Sequence, residues 1–289
     1  MPATALFPGA HMDRLFPRTT VGGVSVSRLI IGTNWLLGWS HTSAARDRQI
    51  RAHHTRQTIA DVLAVFLDAG VDTLLGPVNP LLAEAVCEVQ QRTGRRVIQI
   101  LTPGFNIRPG GDPAKEPEPA FDRAHAAGAT FCLPHESATD ALVDRRDNVI
   151  RDWPRLAALI RSRGMIPGLS THLPQSIVIA DKTGADVETY ITIYNCAGFM
   201  MPLEIDWTMR VIANARKPVL TIKPLAAGRL LPPVGLAFAW NTIRDQDMVA
   251  VGCYTPDEAR EVLELSLAFL DRRLPQNELQ TTRSKQGLT

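Results

Sequence analysis

Eight short runs of apolar or β-branched residues recur along the chain, at 28–32, 71–75, 97–101, 129–133, 165–169, 190–194, 219–222 and 248–251. They show little alternation of apolar with polar positions. A strand covered on both faces needs that near-continuous hydrophobicity, so the runs predict a parallel sheet. Between them lie stretches whose apolar residues return every three or four positions, among them 58–69, 81–92, 153–163 and 257–270. In the first of these, Ile59, Val62, Leu63, Phe66 and Leu67 share one face of a helix. Gly70, Gly94, Gly128 and Gly164 each follow a helical run and precede a strand, where a left-handed cap turns the chain back. Thr255, Pro256 and Glu258 form a helix start: a hydroxyl cap, a first-turn proline and a carboxylate at the capping-box position.

Alternation of this kind builds either an open doubly wound sheet or a closed barrel. Eight repeats in 289 residues, without a GxGxxG turn, point to an α/β fold made of a single (β/α)8 TIM barrel. The pattern divides the chain into an N-terminal arm at 1–20, the barrel at 21–274 and a polar tail at 275–289. Two connections break the rhythm, 38–56 after the first strand and 103–119 after the third. Both leave the carboxyl ends of strands, the face on which barrels keep their chemistry.

Composition narrows the function classes. Hydrophobic residues make up 45% of the chain and charged residues 21%, proportions that support a large core under an ordinary polar surface. The net charge is +2 with no basic stripe, which gives no reason to expect a nucleic-acid partner. No apolar run approaches the roughly 20 residues of a membrane span, and the first dozen residues lack the pattern of an export signal. The four cysteines share no CxxC spacing and suit reduced thiols, so a cytoplasmic location is expected. The expected partner is a small-molecule substrate, and the oligomeric state is left open.

Polar residues at the carboxyl ends of the strands are the candidates for chemistry. They are Asn34, Asn79, Thr102, His135, Glu136, His172, Tyr194, Asn195, Lys223 and Tyr254, with His41, His53 and His54 in the first long loop. His135, Glu136 and His172 suit the three-ligand open site of a catalytic metal. His135 and His172 equally suit a metal-free acid and base, or plain hydrogen-bonded rim positions. Lys223, flanked by Ile222 and Pro224, is either a desolvated amine able to attack a carbonyl or a cation neutralising Glu136 or a bound anion. Trp35 and Trp39 enter the mouth loop, where aromatic faces serve sugars.

Four segments carry a family resemblance. They are VSRLIIGT at 26–33, LDAGV at 67–71, PLAAG at 224–228, and Val251-Gly252 followed by TPDE at 255–258. In order and spacing they resemble the aldo-keto reductase superfamily over most of residues 21–270. The resemblance implies a barrel that reduces carbonyls with NADPH through an Asp, a Tyr, a Lys and a His. Carried onto this chain, the aspartate falls at Leu75, the tyrosine near Asn79 or Pro80, and the lysine at Thr102 or Pro103. Only the histidine is kept, as His135. The glutamine that faces the nicotinamide falls at Ile191 and the stacking aromatic at Ile222, while Ser170 is kept and its neighbour is Thr171. An NADP phosphate would use Gly228, Arg229, Thr255 and Arg260 with the free amides of the last helix. NADP and a divalent metal are both open as cofactors.

Three functions are compatible with this pattern. The first is an aldo-keto-reductase-like enzyme acting on a small carbonyl or sugar-like polyol by acid–base isomerase or lyase chemistry. There His135 is the main acid–base group, helped by His172 and Glu136, while Lys223 and Asn195 orient oxygen atoms. The second is an NADP-dependent oxidoreductase with a rebuilt proton donor, Tyr254 or Tyr194. The third is a non-catalytic accessory protein that binds a metabolite or nucleotide.

Overall fold

The structure, a computed structural model, describes residues 14–108 and 110–277. Residues 1–13 of the expected arm and 278–289 of the expected tail lie outside these. The chain opens with an antiparallel hairpin, β1 Arg18–Val21 and β2 Val24–Ser27. The parallel strands follow as β3 Leu29–Gly32, β4 Thr73–Gly76, β5 Ile98–Leu101 and β6 Ala129–Cys132. A small antiparallel hairpin, β7 Val143–Asp144 with β8 Val149–Ile150, is inserted next. The set is completed by β9 Ile166–Pro167, β10 Leu169–Ser170, β11 Tyr190–Ile193, β12 Val219–Ile222 and β13 Met248–Gly252.

The parallel strands pair in the order β10-β11-β12-β13-β3-β4-β5-β6-β9. Since β9 and β10 flank the single residue Gly168, they are two halves of one strand. The ladder therefore closes on itself as an eight-stranded barrel. Pro167 has no N–H to give the ladder, which is one reason the fifth strand is interrupted. Gly168 is a point of close approach. A Cβ there would lie 2.7 Å from Leu133 Cγ and 2.9 Å from the Thr189 carbonyl oxygen. Gly168→Ala is expected to cost about 1–3 kcal/mol through overpacking, read as a lower urea midpoint; an unchanged midpoint would show that the two strand halves have slack.

Each expected strand run coincides with a barrel strand, and a helix follows each of them. The barrel interior is filled by Ile30, Ile100, Phe131, Leu133, Ile191, Leu220 and Met248. Val21 and Val26 of the first hairpin join this cluster and plug the amino-terminal end. The arm boundary at residue 20 therefore cuts through a structured hairpin, and Phe16, 1% exposed, packs on Trp240. Outside the sheet, the helix faces bury a second layer in which Ile59, Leu63 and Phe66 are fully covered. The first long connection also differs from the polar loop expected of it. Its residues Ala44–His53 form a helix capped by Ser43, whose side chain accepts the Arg46 amide. No helix among the described residues is long and apolar enough to cross a membrane.

Candidate active site

The carboxyl ends of the barrel strands enclose a cavity of about 670 Å³. Leu75, Ile191, Ile222 and Ala250 give it apolar walls, and Trp35, Trp39 and Leu231 continue them toward the rim. Into this apolar space project His41, His135, Glu136, His172 and Lys223. Of the site residues expected from the sequence, His135, Glu136, His172, Lys223, Ser170 and Gly228 line the cavity. Arg229, Thr255 and Arg260 stand outside its lining.

His135 is set by the end of β6. Its amide donates to the Pro103 carbonyl at 2.9 Å, and it forms the N-cap of helix Glu136–Leu142. Nδ1 accepts the Ser137 amide at 3.3 Å and lies 2.8 Å from the Ser137 hydroxyl. An accepting Nδ1 holds no proton, so the neutral imidazole carries its proton on Nε2. Glu136 lies beside it, 3.6 Å from Nδ1.

Asp140, one turn along the same helix, escaped the sequence reading. Its carboxylate accepts the His172 amide at 2.9 Å and the Thr171 hydroxyl. Helix Glu136–Leu142 thereby fixes both His135 and the loop that carries His172. Burial pushes the Asp140 carboxyl up, and the bonds from Thr171 and His172 oppose that rise. His172 itself is pushed down to about 4, chiefly by burial and then by the charges of Lys223, His135 and His41. It is an uncharged base at neutral pH.

Lys223 follows β12 with φ +60°, in the left-handed region. Its Nζ lies 3.2 Å from Nε2 of His41, which in turn lies 3.3 Å from the Asn34 amide nitrogen. Both neighbours are donors, so Nε2 of His41 holds a lone pair and Nδ1 the proton. Burial lowers the Lys223 ammonium, while Glu136 acts to raise it. Burial also lowers His41, with Lys223 adding to the effect.

These histidines make a sign-definite prediction. His172 and His54 each bind their proton at about 4 in the fold, against about 6.5 when unfolded. Between those values the unfolded chain holds the extra protons, so stability falls as pH drops from about 6.5 toward 4. The slope reaches up to about 1.4 kcal/mol per pH unit for each group. Urea midpoints measured across this window should fall with acidification; a flat profile contradicts the burial of both rings.

Several expectations need correcting. His53 and His54 do not face the cavity: they stack with Tyr254, at 4.7 and 5.0 Å between ring centres. That engages one of the two phenols expected as a rebuilt proton donor. The other, Tyr194, is fully buried against Phe238 on the outer side of the sheet, where burial pushes its hydroxyl up. Neither phenol lines the cavity. Asn195, also fully buried, spends its amide on the Phe199 backbone at 2.9 and 3.1 Å. It orients a loop rather than substrate oxygens. His135, Glu136 and His172 do not converge as metal ligands, and no group of three such side chains stands close enough to hold an ion among the described residues.

The residues present also fit a nicotinamide dinucleotide poorly. The last helix, Pro256–Leu270, has few amides to offer at its start, because Pro256 has no N–H, Thr255 Oγ1 takes the Glu258 amide at 3.1 Å and the Thr255 carbonyl takes that of Ala259. The Glu258 carboxylate reaches back to the Tyr254 amide, one residue further than a capping box, and Glu258 and Glu261 both line the cavity. Arg260 pairs with Asp257 at 2.5 Å, and Arg229 lies over the Phe199 ring. Trp35 packs against Gly252 and approaches Gly228, so an indole occupies the space beside the ends of β12 and β13. Two carboxylates and an indole stand where the resemblance puts the phosphates and their cations.

No protein-family model and no curated protein sequence matches the chain. Solved structures do. A protein of Pseudomonas aeruginosa classed with the aldo-keto reductases superposes with a TM-score of 0.67 at 18% identity, over 91% of this chain and 100% of that one. An aldo/keto reductase from Brucella melitensis superposes at 0.57 and 12% identity, over 90% and 99%. MGS-M4, an aldo-keto reductase from a Medee basin deep-sea metagenome library, superposes at 0.55 and 9% identity, over 91% and 97%. The chain has the (β/α)8 barrel fold of the aldo-keto reductases.

Proposed function

We propose that this barrel is an enzyme that moves a proton next to the carbonyl of a small, uncharged hydroxy-aldehyde or hydroxy-ketone, in an isomerase or lyase reaction. The observation that supports this is the gathering of His135, His172, Glu136 and the His41–Lys223 pair in one largely apolar cavity. Apolar walls strengthen each polar contact made inside them. His135, with its proton on Nε2, donates to the carbonyl oxygen. His172, uncharged at neutral pH, takes the proton from the adjacent carbon. Glu136, in the same cavity, favours the positive charge that this places on the His172 ring, while His135 stays neutral as the hydrogen-bond donor to the enolate oxygen. Trp35 and Trp39 supply flat faces for the carbon skeleton.

The test is proton exchange in heavy water. Dihydroxyacetone and glyceraldehyde are incubated with the protein and followed by proton NMR. Protein-dependent loss of the signal from hydrogen next to the carbonyl supports the reading. If the signal decays no faster than in buffer, while NADPH is consumed with either compound, carbonyl reduction replaces it.

A further inference from the structure

We propose that Lys223 forms an imine with the carbonyl substrate seated in the cavity. This rests on the reading of the cavity as a carbonyl site and adds a covalent intermediate to it.

The geometry is that of an amine held out of water with a proton acceptor at its side. Lys223 stands at the carboxyl end of β12, and the turn after it is fixed by the Ala226 amide on the Lys223 carbonyl at 3.0 Å and the Gly228 amide on that of Leu225 at 2.9 Å. The positive φ of a non-glycine residue costs on the order of 1 kcal/mol or more and persists only where its surroundings enforce it. Nζ reaches His41 at 3.2 Å, so its direct partner is an imidazole, where a structural lysine would have a carboxylate. Ile222, Pro224, Leu225 and Leu231 share the cavity lining with it. Burial disfavours the ammonium and raises the fraction of free amine, the nucleophilic form. His172, His41 and Glu136 are the titratable groups acting around it.

The step balances without an outside reagent. The Lys223 ammonium passes one proton to Nε2 of His41. The amine lone pair then forms the C–N bond as the carbonyl π electrons move to oxygen, which Nε2–H of His135 holds by a hydrogen bond. A proton moves from nitrogen to that oxygen, giving a neutral carbinolamine. The proton held on His41 goes to the hydroxyl, which leaves as water as the C=N bond forms. The protonated imine is a stronger electron sink than the ketone, so it acidifies the neighbouring C–H. A weak base is then sufficient to remove that hydrogen. This accounts for a base as weak as His172, with its pKa near 4, at the same site.

The chain has four other lysines, Lys115, Lys182, Lys217 and Lys285, which serve as internal controls. Wild-type protein is treated with dihydroxyacetone and sodium borohydride, digested, and mapped by mass spectrometry. The expected result is one reduced triose per chain on Lys223, at roughly tenfold or more the occupancy of any other lysine. It should be absent from the same peptide in Lys223→Met, with circular dichroism to confirm folding. Adduct no greater on Lys223 than on Lys115 overturns the proposal, and the wild-type map decides this even if the variant fails to fold. The two readings fail separately. Exchange of the hydrogen without an adduct refutes the imine and leaves the acid–base reading. An adduct without exchange supports the imine and refutes the proton transfer.

Discussion

Replacing Asp247 with alanine is expected to lower the unfolding free energy by about 3–5 kcal/mol, the largest loss in stability foreseen for a single side chain here. Asp247 is fully buried at the amino-terminal end of β13. Its carboxylate accepts the Val219 amide at 2.8 Å and the Arg244 amide at 2.9 Å, together with Arg244 Nε at 2.8 Å and Nη2 at 2.7 Å. Arg28, before β3, donates to the carbonyls of Asp247 and Arg244 at 3.0 Å each and lies over the Trp240 ring. The carboxylate thus ties the start of β13 to β12 and to Arg244, and Arg28 joins β3 to the same corner through backbone carbonyls, at the end of the barrel away from the cavity. Removing it leaves the Val219 and Arg244 amides without their acceptor and the Arg244 guanidinium with the Ala215 and Lys217 carbonyls but no counter-charge, and that loss is where the cost arises. Urea unfolding of Asp247→Ala measures the loss, and Asp247→Asn should retain part of the network. A loss below about 1 kcal/mol would mean that water replaces the carboxylate freely.

The largest effect on activity is expected at His135. His135→Asn should slow protein-dependent hydrogen exchange by about 10²–10⁴-fold, the usual loss when one acid–base group is removed. Asparagine is chosen because it is a good N-cap, so helix Glu136–Leu142 and the Asp140 clamp should survive. Matched melting curves for variant and wild type would confirm that the loss is chemical. If His135→Asn exchanges hydrogen at the wild-type rate, His135 is only a cap, and its imidazole has no part in the reaction.

The two residues illustrate how a barrel separates its tasks. Conserving the fold falls to the amino-terminal end, where the hairpin plug and the Asp247 network sit. Chemistry falls to the opposite end, where the loops are free to carry polar groups into a cavity. Helix Glu136–Leu142 belongs to the second set, since its first residues cap it with His135 and its second turn sends Asp140 across to Thr171 and His172.

How much of this was written in the linear pattern follows from the range of each interaction. Near-continuous apolar runs and three-to-four spacing are local, so all eight strands, the helices between them and the Thr255 cap were legible. The sequence alone also brought Lys223 to the mouth of the barrel. It did not show that His41, 182 positions away, would be the partner of its amine. Nor did it show that Asp140 would hold His172, that Tyr254 would be taken up by His53 and His54, or that Glu258 and Glu261 would line the cavity. Those pairings join segments that have no local reason to meet. Only closure of the ladder through Gly168 brings them within bonding distance, and the burial that closure creates sets which of their protons stay on.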